Sequence, residues 1–326
     1  MKLSRLFLIV LIIILGVGAV LLVNRPNVKN TNTNTETLVS TPPKPIIVTT
    51  LFPFYDIATQ LVNDKAEVSL LLPPGVEPHT FEPTPQDIIT IQEADIFIYT
   101  GDIMEPWVKD IVANIPSSVK IINASDGISL IKSTDDHNHE NEGQKTKTGS
   151  DLDPHFWLNF NNSITATQNI SKSIYSLNLL DNNVLDQNTK NIISDFEKLD
   201  AEYQNTLSKC KNKTILQAGH RTFEYLANKY NLDYITTEEL SPNSDTSAKD
   251  IAKLITEIKE NKAKTIFSEE LIEPRIANTI ASETGASILE LNGAHNISSE
   301  QFKSKVSFID IMKQNLENLS IGLECK

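Results

Sequence analysis

The chain has 326 residues, of which 40% are hydrophobic and 22% charged, and its formal net charge is −13. This length suits two globular domains of about 150 residues each. The acidic balance argues against nucleic acid and anionic lipid as partners. It suits a protein that attracts cations, although solubility alone accounts for it equally well.

The N-terminus differs in kind from the rest of the chain. Lys2 and Arg5 precede an apolar run at residues 6–23, close to the roughly 20 residues that span a bilayer. Residues 1–23 are therefore a secretory signal or a retained membrane anchor, with everything that follows outside the cytoplasm. No clear cleavage motif of small residues follows, which favours the anchor. Residues 24–44, rich in Asn, Thr and Pro, are predicted to be a flexible tether.

Short apolar strands alternate with helices in the next part of the chain. Thr84 and Pro85 form a typical helix start, with a capping side chain followed by proline in the first turn. Strands are predicted at residues 46–50, 67–72, 96–100 and 119–123. Helices are predicted at residues 54–62, 85–93 and 107–114. This alternation is typical of parallel β/α units.

Residues 126–149 interrupt the pattern with an acidic, low-complexity loop that contains His137 and His139. Histidines and carboxylates in such a loop could hold Zn²⁺ weakly. A simple solvated loop without a ligand is the alternative.

Two helices without an intervening strand follow, at residues 164–177 and 188–207. The second would span about 30 Å, enough to cross the molecule and join two halves. The alternation then resumes. Further strands are predicted at residues 214–217, 234–237, 265–268 and 287–291. Further helices are predicted at residues 222–230, 248–261, 275–284 and 306–323.

These elements predict an α/β fold with two β/α lobes, each containing a mainly parallel four-stranded sheet, joined by one long helix. The first lobe is expected at residues 45–180, the connecting helix at 181–212 and the second lobe at 213–326.

Three of the six histidines lie where an apolar run ends and a helical pattern begins, namely His79, His155 and His220. Each alone is more typical of a partly buried polar side chain, but their shared setting indicates a metal site. Open α/β sheets bind ligands at the carboxyl ends of their strands, where His295 and Glu269 are also expected. These side chains are therefore predicted to meet in the cleft between the lobes.

The two cysteines, Cys210 and Cys325, have two open interpretations. Outside the cytoplasm they could form a disulfide that pins the C-terminus to the second domain. Otherwise they are unpaired buried thiols.

Two motifs carry a resemblance to a known family. Pro-His-Thr-Phe-Glu-Pro-Thr-Pro-Gln-Asp at residues 78–87 and Asp-Pro-His-Phe-Trp-Leu at residues 153–158 resemble the first two ligand motifs of the zinc/manganese-type (cluster A-I) solute-binding proteins of ABC importers. The surroundings of His220 are similar to the third, and the likeness extends from residue 46 to about residue 323. The resemblance implies two lobes, a long rigid helix and a metal between the lobes.

The resemblance also implies that His79, His155 and His220 are metal ligands. A histidine at the third position is similar to the zinc-type members, and imidazole suits Zn²⁺ better than Mn²⁺. The acidic loop with His137 and His139 likewise looks like that of the zinc-type members.

The fourth ligand is where the sequence departs from the family pattern. The family usually has an Asp near the end of the last lobe, but residues 291–296 contain no carboxylate. His295 is closest to the expected place and is the predicted fourth ligand, with Glu269 as its competitor. Carboxylates are expected to orient the ligating rings, and the candidates are Glu77, Glu82, Asp153 and Glu269.

The resulting expectation is a monomeric, non-enzymatic protein outside the cytoplasm that binds Zn²⁺ and delivers it to an ABC permease. Binding of Mn²⁺ or iron by the same fold is one alternative. A zinc-dependent hydrolase is another, although the sequence has no His-Glu-x-x-His pair. A third is a surface adhesin or scavenger that holds metal without a transporter.

Overall fold

The computed structural model describes residues 43–132, 152–177, 181–236, 248–270 and 275–326. Lys44–Lys326 form one compact unit. The predicted anchor, nearly all of the predicted tether, and the loop histidines His137 and His139 lie outside the described residues. No helix within the described ranges is both long and apolar enough to cross a bilayer.

The first lobe is built on a four-stranded parallel sheet with the order β2-β1-β3-β4. Its strands are β1 (Ile46–Thr49), β2 (Glu67–Leu70), β3 (Ile96–Tyr99) and β4 (Lys120–Asn123). The intervening helices are α1 (Phe52–Val62), α2 (Pro85–Gln92) and α3 (Val108–Val112). Every residue of β3 is buried, as expected of a central strand with both faces covered. Thr84 and Asp87 cap α2 reciprocally, which explains why this helix start was predictable.

The second lobe repeats the arrangement, with the strand order β6-β5-β7-β8 and all pairs parallel. Its strands are β5 (Thr214–Ala218), β6 (Asp233–Thr236), β7 (Thr265–Glu269) and β8 (Ser287–Leu291). Its helices are α6 (Glu224–Tyr230), α7 (Ala248–Glu260), α8 (Arg275–Thr284), α9 (Ser299–Lys303) and α10 (Phe308–Gly322). The predicted α/β fold with two parallel four-stranded sheets is confirmed.

Two long helices lie between the sheets in sequence, α4 (Phe160–Ser176) and α5 (Asn182–Leu207). Both begin earlier than predicted, by four and six residues. The side chains of Asn159 and Asp181 cap their first turns, and those turns each contain two asparagines, which obscure the apolar period that marks a helix in sequence. With 26 residues, α5 is about 39 Å long.

The long helix α5 contacts helices of both lobes. Its Phe196 ring lies 6.1 Å from Phe160 of α4 and 5.9 Å from Phe308 of α10. The Tyr203 hydroxyl donates a buried hydrogen bond to the carbonyl oxygen of Met312 at 2.6 Å, and Asn188 donates to the carbonyl of Leu61 in α1. These contacts with α1, α4 and α10 confirm that the long helix joins the two lobes.

The helix predicted at residues 306–323 corresponds to α10, Phe308–Gly322. A short helix that the sequence did not predict, α9, precedes it, and the two are separated where Lys305 adopts a left-handed conformation with φ 56° and Ser307 caps α10. A disulfide joins Cys210, just after α5, to Cys325 near the C-terminus. The other predicted elements end within two residues of the observed ones.

Candidate metal centre

Four histidines from four separate segments of the chain form one cluster. His79 lies in a 3-10 turn (Pro78–Thr80) beyond β2, and His155 immediately precedes a second such turn. His220 follows β5 after one glycine. His295 follows β8, after Ala294 has turned the backbone with a left-handed φ of 57°. Three of the four therefore lie beyond the carboxyl ends of parallel strands, where such sheets bind ligands.

The four imidazole rings form a tight cluster. All six pairs of ring centroids are separated by distances between 4.8 and 5.5 Å. One nitrogen from each ring can be chosen so that all four lie within 4.8 Å of one another. His155, His220 and His295 are buried, whereas His79 is partly exposed. Of the four rings, His79 is therefore the one closest to solvent.

These distances match the needs of a small tetrahedral cation. Zinc–nitrogen bonds of about 2.0–2.1 Å place the nitrogens of a tetrahedral site about 3.3–3.4 Å apart. Nε2 of His79 lies 3.2 Å from Nε2 of His155. Among the described residues, Nε2 of His295 is buried without a hydrogen-bond partner, which is costly unless another group binds it.

Carboxylates orient three of the rings. Asp153 Oδ1 lies 2.6 Å from Nδ1 of His155 and also accepts its backbone N–H. Glu269 Oε1 lies 2.5 Å from Nδ1 of His220, and Glu270 Oε1 lies 3.3 Å from Nδ1 of His295. An Nδ1–H held by a carboxylate leaves the Nε2 lone pair for a metal. Thr222 Oγ1 contacts Nε2 of His220 at 2.7 Å.

The predicted competitor Glu269 lies behind His220. Its second carboxylate oxygen accepts the backbone N–H of His220 at 3.2 Å, so both of its oxygens face the same residue. A Cβ at Gly219 would lie only 2.7 Å from Glu269 Oε2. This glycine therefore allows the close approach of the carboxylate to the ring.

The other two predicted orienting carboxylates lie elsewhere. Glu77 accepts the backbone N–H of His79 at 3.0 Å, so it holds the turn and not the ring. Glu82 is exposed.

The sequence analysis did not identify two residues that position His295, namely Glu270 and Trp157. Glu270 orients His295 and also accepts the backbone N–H of Gly293 at 2.8 Å. The Trp157 indole donates to the carbonyl of Gly293 at 2.8 Å and packs edge-on against His295. No local signal marked Glu270, because its partners, Gly293 and His295, lie more than 20 residues further along the chain.

Burial and charge set the protonation of the cluster. Burial, followed by the neighbouring imidazoles, holds the pKa of His79, His155 and His295 well below the ordinary value. Burial, the largest single effect, lowers the pKa of His220, but the carboxylates of Glu269, Glu77 and Glu270 together outweigh it and the net pKa is raised. Burial raises the pKa of Asp153 to about 7. Burial and the nearby Glu269 raise the pKa of Glu270 to about 8.

Neutral, converging imidazoles with oriented rings can bind a divalent transition metal. Fold and site together define a two-lobed α/β metal-binding protein in which both lobes contribute side chains to one cluster. The family sequence model described as "Zinc-uptake complex component A periplasmic" matches residues 47–322. The chain belongs to this family, which confirms the resemblance noted in the sequence.

Individual relatives agree with this assignment. The chain is 36% identical over 281 residues to the high-affinity zinc uptake system protein ZnuA of Bacillus subtilis, covering 86% of this chain and 88% of that protein. It is 32% identical to the zinc-binding lipoprotein AdcA of Streptococcus pneumoniae, covering 84% of this chain. The chain spans only about half of that relative's length, 54%.

A solved structure of a relative has a similar fold. The crystal structure of the Zn(II)-bound ZnuA-like domain of Streptococcus pneumoniae AdcA is similar with a TM-score of 0.73 and 30% identity. The similarity covers 86% of this chain and 99% of that one.

Proposed function

We propose that this protein captures Zn²⁺ outside the cytoplasm and delivers it to an ABC permease for uptake. The observation that carries the proposal is the cluster of four imidazoles, in which all ring pairs lie 4.8–5.5 Å apart. Relatives named for zinc uptake and zinc binding support the choice of cargo.

The ligands in this proposal are the Nε2 atoms of His79, His155, His220 and His295. The carboxylates on Nδ1 of the last three rings support that choice of nitrogen. Zinc would displace the Thr222 hydroxyl from Nε2 of His220. Glu269 acts as the orienting partner of His220 and not as the fourth ligand, because both of its oxygens already face that residue.

The donor set favours zinc over manganese. Four neutral nitrogens suit Zn²⁺, whereas Mn²⁺ prefers carboxylate, carbonyl and water oxygens. The three carboxylates around the cluster contact imidazole nitrogens and balance the charge of the cation from behind the rings. Manganese and iron are therefore expected to bind more weakly in the same place.

A site of four histidine ligands is suited to binding zinc and not to catalysis. A tetrahedral zinc ion held by four protein nitrogens has no open position for the nucleophilic water that zinc hydrolases use. The family consists of binding components for transport, so we assign this protein no enzymatic activity. The finding that would favour the hydrolase alternative is a water molecule on the zinc together with hydrolytic turnover.

The organisation of the whole chain is part of the proposal. Residues 1–23 anchor the protein at the outer face of the cytoplasmic membrane or are cleaved as a signal, and residues 24–44 tether the lobes. The lobes occupy residues 45–180 and 213–326, with the connecting helix within 181–212. The protein works as a monomer, its partners are Zn²⁺ and a membrane permease, and His137 and His139 form an auxiliary weak zinc site.

The experiment is metal analysis followed by competition titration of Zn²⁺ against Mn²⁺. We expect one tightly bound zinc per chain and preference for zinc over manganese. His155→Ala and His295→Ala should each weaken zinc binding strongly. The matched control replaces His137 and His139 with alanine and should keep the tight site. If His295→Ala binds zinc like the wild type while Glu269→Ala does not, the fourth ligand is wrong.

A further inference from the structure

Asn296, the residue after His295, is fully buried and reaches across to the other lobe. Its side-chain N–H₂ group donates to the carbonyl oxygens of Pro73 and Val76, both at 2.8 Å. Its amide oxygen accepts the backbone N–H of Ile297 at 2.8 Å. All hydrogen-bonding groups of this buried amide except one oxygen lone pair are therefore used, as burial requires.

The two carbonyls belong to a tight turn between β2 and His79. The N–H of Val76 donates to the carbonyl of Pro73 at 3.1 Å, and Gly75 has the left-handed φ of 88° that such a turn requires. The chain leaves the turn directly into Glu77, whose carboxylate holds the backbone N–H of His79. The position of this turn therefore determines where His79 presents its ring.

His79 depends on such support more than the other three ligands do. Carboxylates hold the rings of His155, His220 and His295 at Nδ1, but Glu77 contacts only the backbone of His79. His79 is also the partly exposed member of the cluster. Its ring can be placed accurately only if the turn that precedes it is fixed.

We infer that Asn296 is a positioning residue for zinc binding, which fixes the His79 turn of the first lobe to the His295 loop of the second. This inference rests on the proposed zinc site. Only an amide of this length supplies two N–H donors to the turn and one acceptor to its own loop. An aspartate of the same shape keeps the acceptor but offers no donor, and sets a carboxylate oxygen against two carbonyl oxygens.

The test is Asn296→Asp in the full-length protein, with zinc affinity measured by competition against a chelating dye. Loss of a group that hydrogen-bonds a metal ligand directly costs about 10- to 100-fold in metal affinity. Asn296 acts on His79 through the turn, so we expect a loss of about 10-fold, the lower end of that range. The matched control is Asn188→Asp, because Asn188 also donates its amide to a backbone carbonyl, that of Leu61, but lies outside the cluster. That control should keep wild-type affinity.

Double-mutant cycles separate a positioning role from general destabilisation. If Asn296 acts through His79, Asn296→Asp should have little further effect on a His79→Ala protein and its full effect on a His295→Ala protein. The inference is overturned if the loss persists in the His79→Ala protein, or if it disappears in the His295→Ala protein instead. Should the aspartate variant fail to fold, as judged by circular dichroism, Asn296→Ala takes its place in the same cycles. Failure of the wild type to bind zinc would contradict the proposed function itself.

Discussion

Glu270, directly after β7, and His295, in the loop that follows β8, form a buried pair in which Glu270 Oε1 lies 3.3 Å from Nδ1 of the His295 ring. The other oxygen of Glu270 accepts the backbone N–H of Gly293, two residues before His295, at 2.8 Å. One carboxylate thus fixes both the ring and the backbone that carries it. In the proposed zinc site this pair would supply an oriented imidazole, with the carboxylate behind the ring.

The first prediction concerns that pair. Glu270→Gln keeps an oxygen for the N–H of Gly293 but removes the negative charge that supports the ring. We expect zinc affinity to fall about 10-fold or more, measured by dye competition. Glu202→Gln is the control, because Glu202 is exposed on α5. Equal affinities for wild type and Glu270→Gln would mean that the carboxylate does not support His295.

The second prediction concerns the space beside His295. A Cβ at Gly293 would lie 2.5 Å from Cε1 of His295 and 2.8 Å from Cγ2 of Thr222, so Gly293→Ala must displace the ring. We expect weaker zinc binding in titration calorimetry. Gly322→Ala is a matched control, because its Cβ would lie 2.5 Å from the Phe267 ring, away from the cluster. That variant should lose stability and keep its zinc affinity; a wild-type affinity in Gly293→Ala would contradict the tight fit.

The third prediction is a pH dependence with a defined sign. The pKa of Glu270 of about 8 means that the zinc-free site holds a proton at neutral pH, and the raised pKa of His220 favours a second one. Zinc displaces the proton of His220 and favours the ionised Glu270. The lowered pKa values of His79, His155 and His295 keep those rings neutral and contribute no proton there. Affinity should therefore rise from about pH 6 to about pH 9 and then level off.

Calorimetry in two buffers of different ionisation enthalpy counts the protons released. At pH 7 we expect at least one proton per zinc, and fewer above pH 9. The variant Glu270→Gln should release fewer protons than the wild type at pH 7. A proton count of zero at pH 7 would show that the site is already deprotonated.

The fourth prediction concerns the disulfide between Cys210 and Cys325, which are 115 residues apart in sequence. Reduction should lower the free energy of unfolding by about 2–5 kcal/mol, because the cross-link restricts the unfolded chain. Zinc affinity should not change, since the disulfide precedes the N-terminal end of β5 whereas His220 lies beyond the carboxyl end of that strand. Urea unfolding with and without reductant measures this, and a Cys210→Ala/Cys325→Ala protein should be insensitive to reductant. An unchanged midpoint on reduction of the wild type would contradict the prediction.

The sequence predicts the strands, and also His79, His155 and His220, because these rest on local patterns. His295 was predicted as well, but from its place relative to the fourth ligand of the family that the sequence resembles. Buried parallel strands are short apolar runs, and a histidine directly after such a run lies at the ligand-binding edge of the sheet. The early starts of α4 and α5 were missed because Asn159 and Asp181 begin turns that each contain two asparagines. Those turns are stabilised by caps and by neighbouring helices, which apolar periodicity does not record.

Glu270 and Asn296 lay beyond sequence reasoning for a different reason. The partners of Glu270, Gly293 and His295, are more than 20 residues away, and the partners of Asn296 are in the other lobe. Nothing in the local pattern distinguishes a buried Asn that joins two lobes from one that caps a turn. The roles of such residues can be identified only when the positions of both sheets are known.

Zinc K-edge X-ray absorption on the zinc-loaded protein tests the central claim most directly, because it reports the number and type of atoms bound to the ion. Four imidazole nitrogens should surround the zinc at about 2.0–2.1 Å, with no oxygen in the first shell. His295→Ala should lose one imidazole from that shell. A wild-type spectrum with three nitrogens and an oxygen would contradict the four-histidine cage.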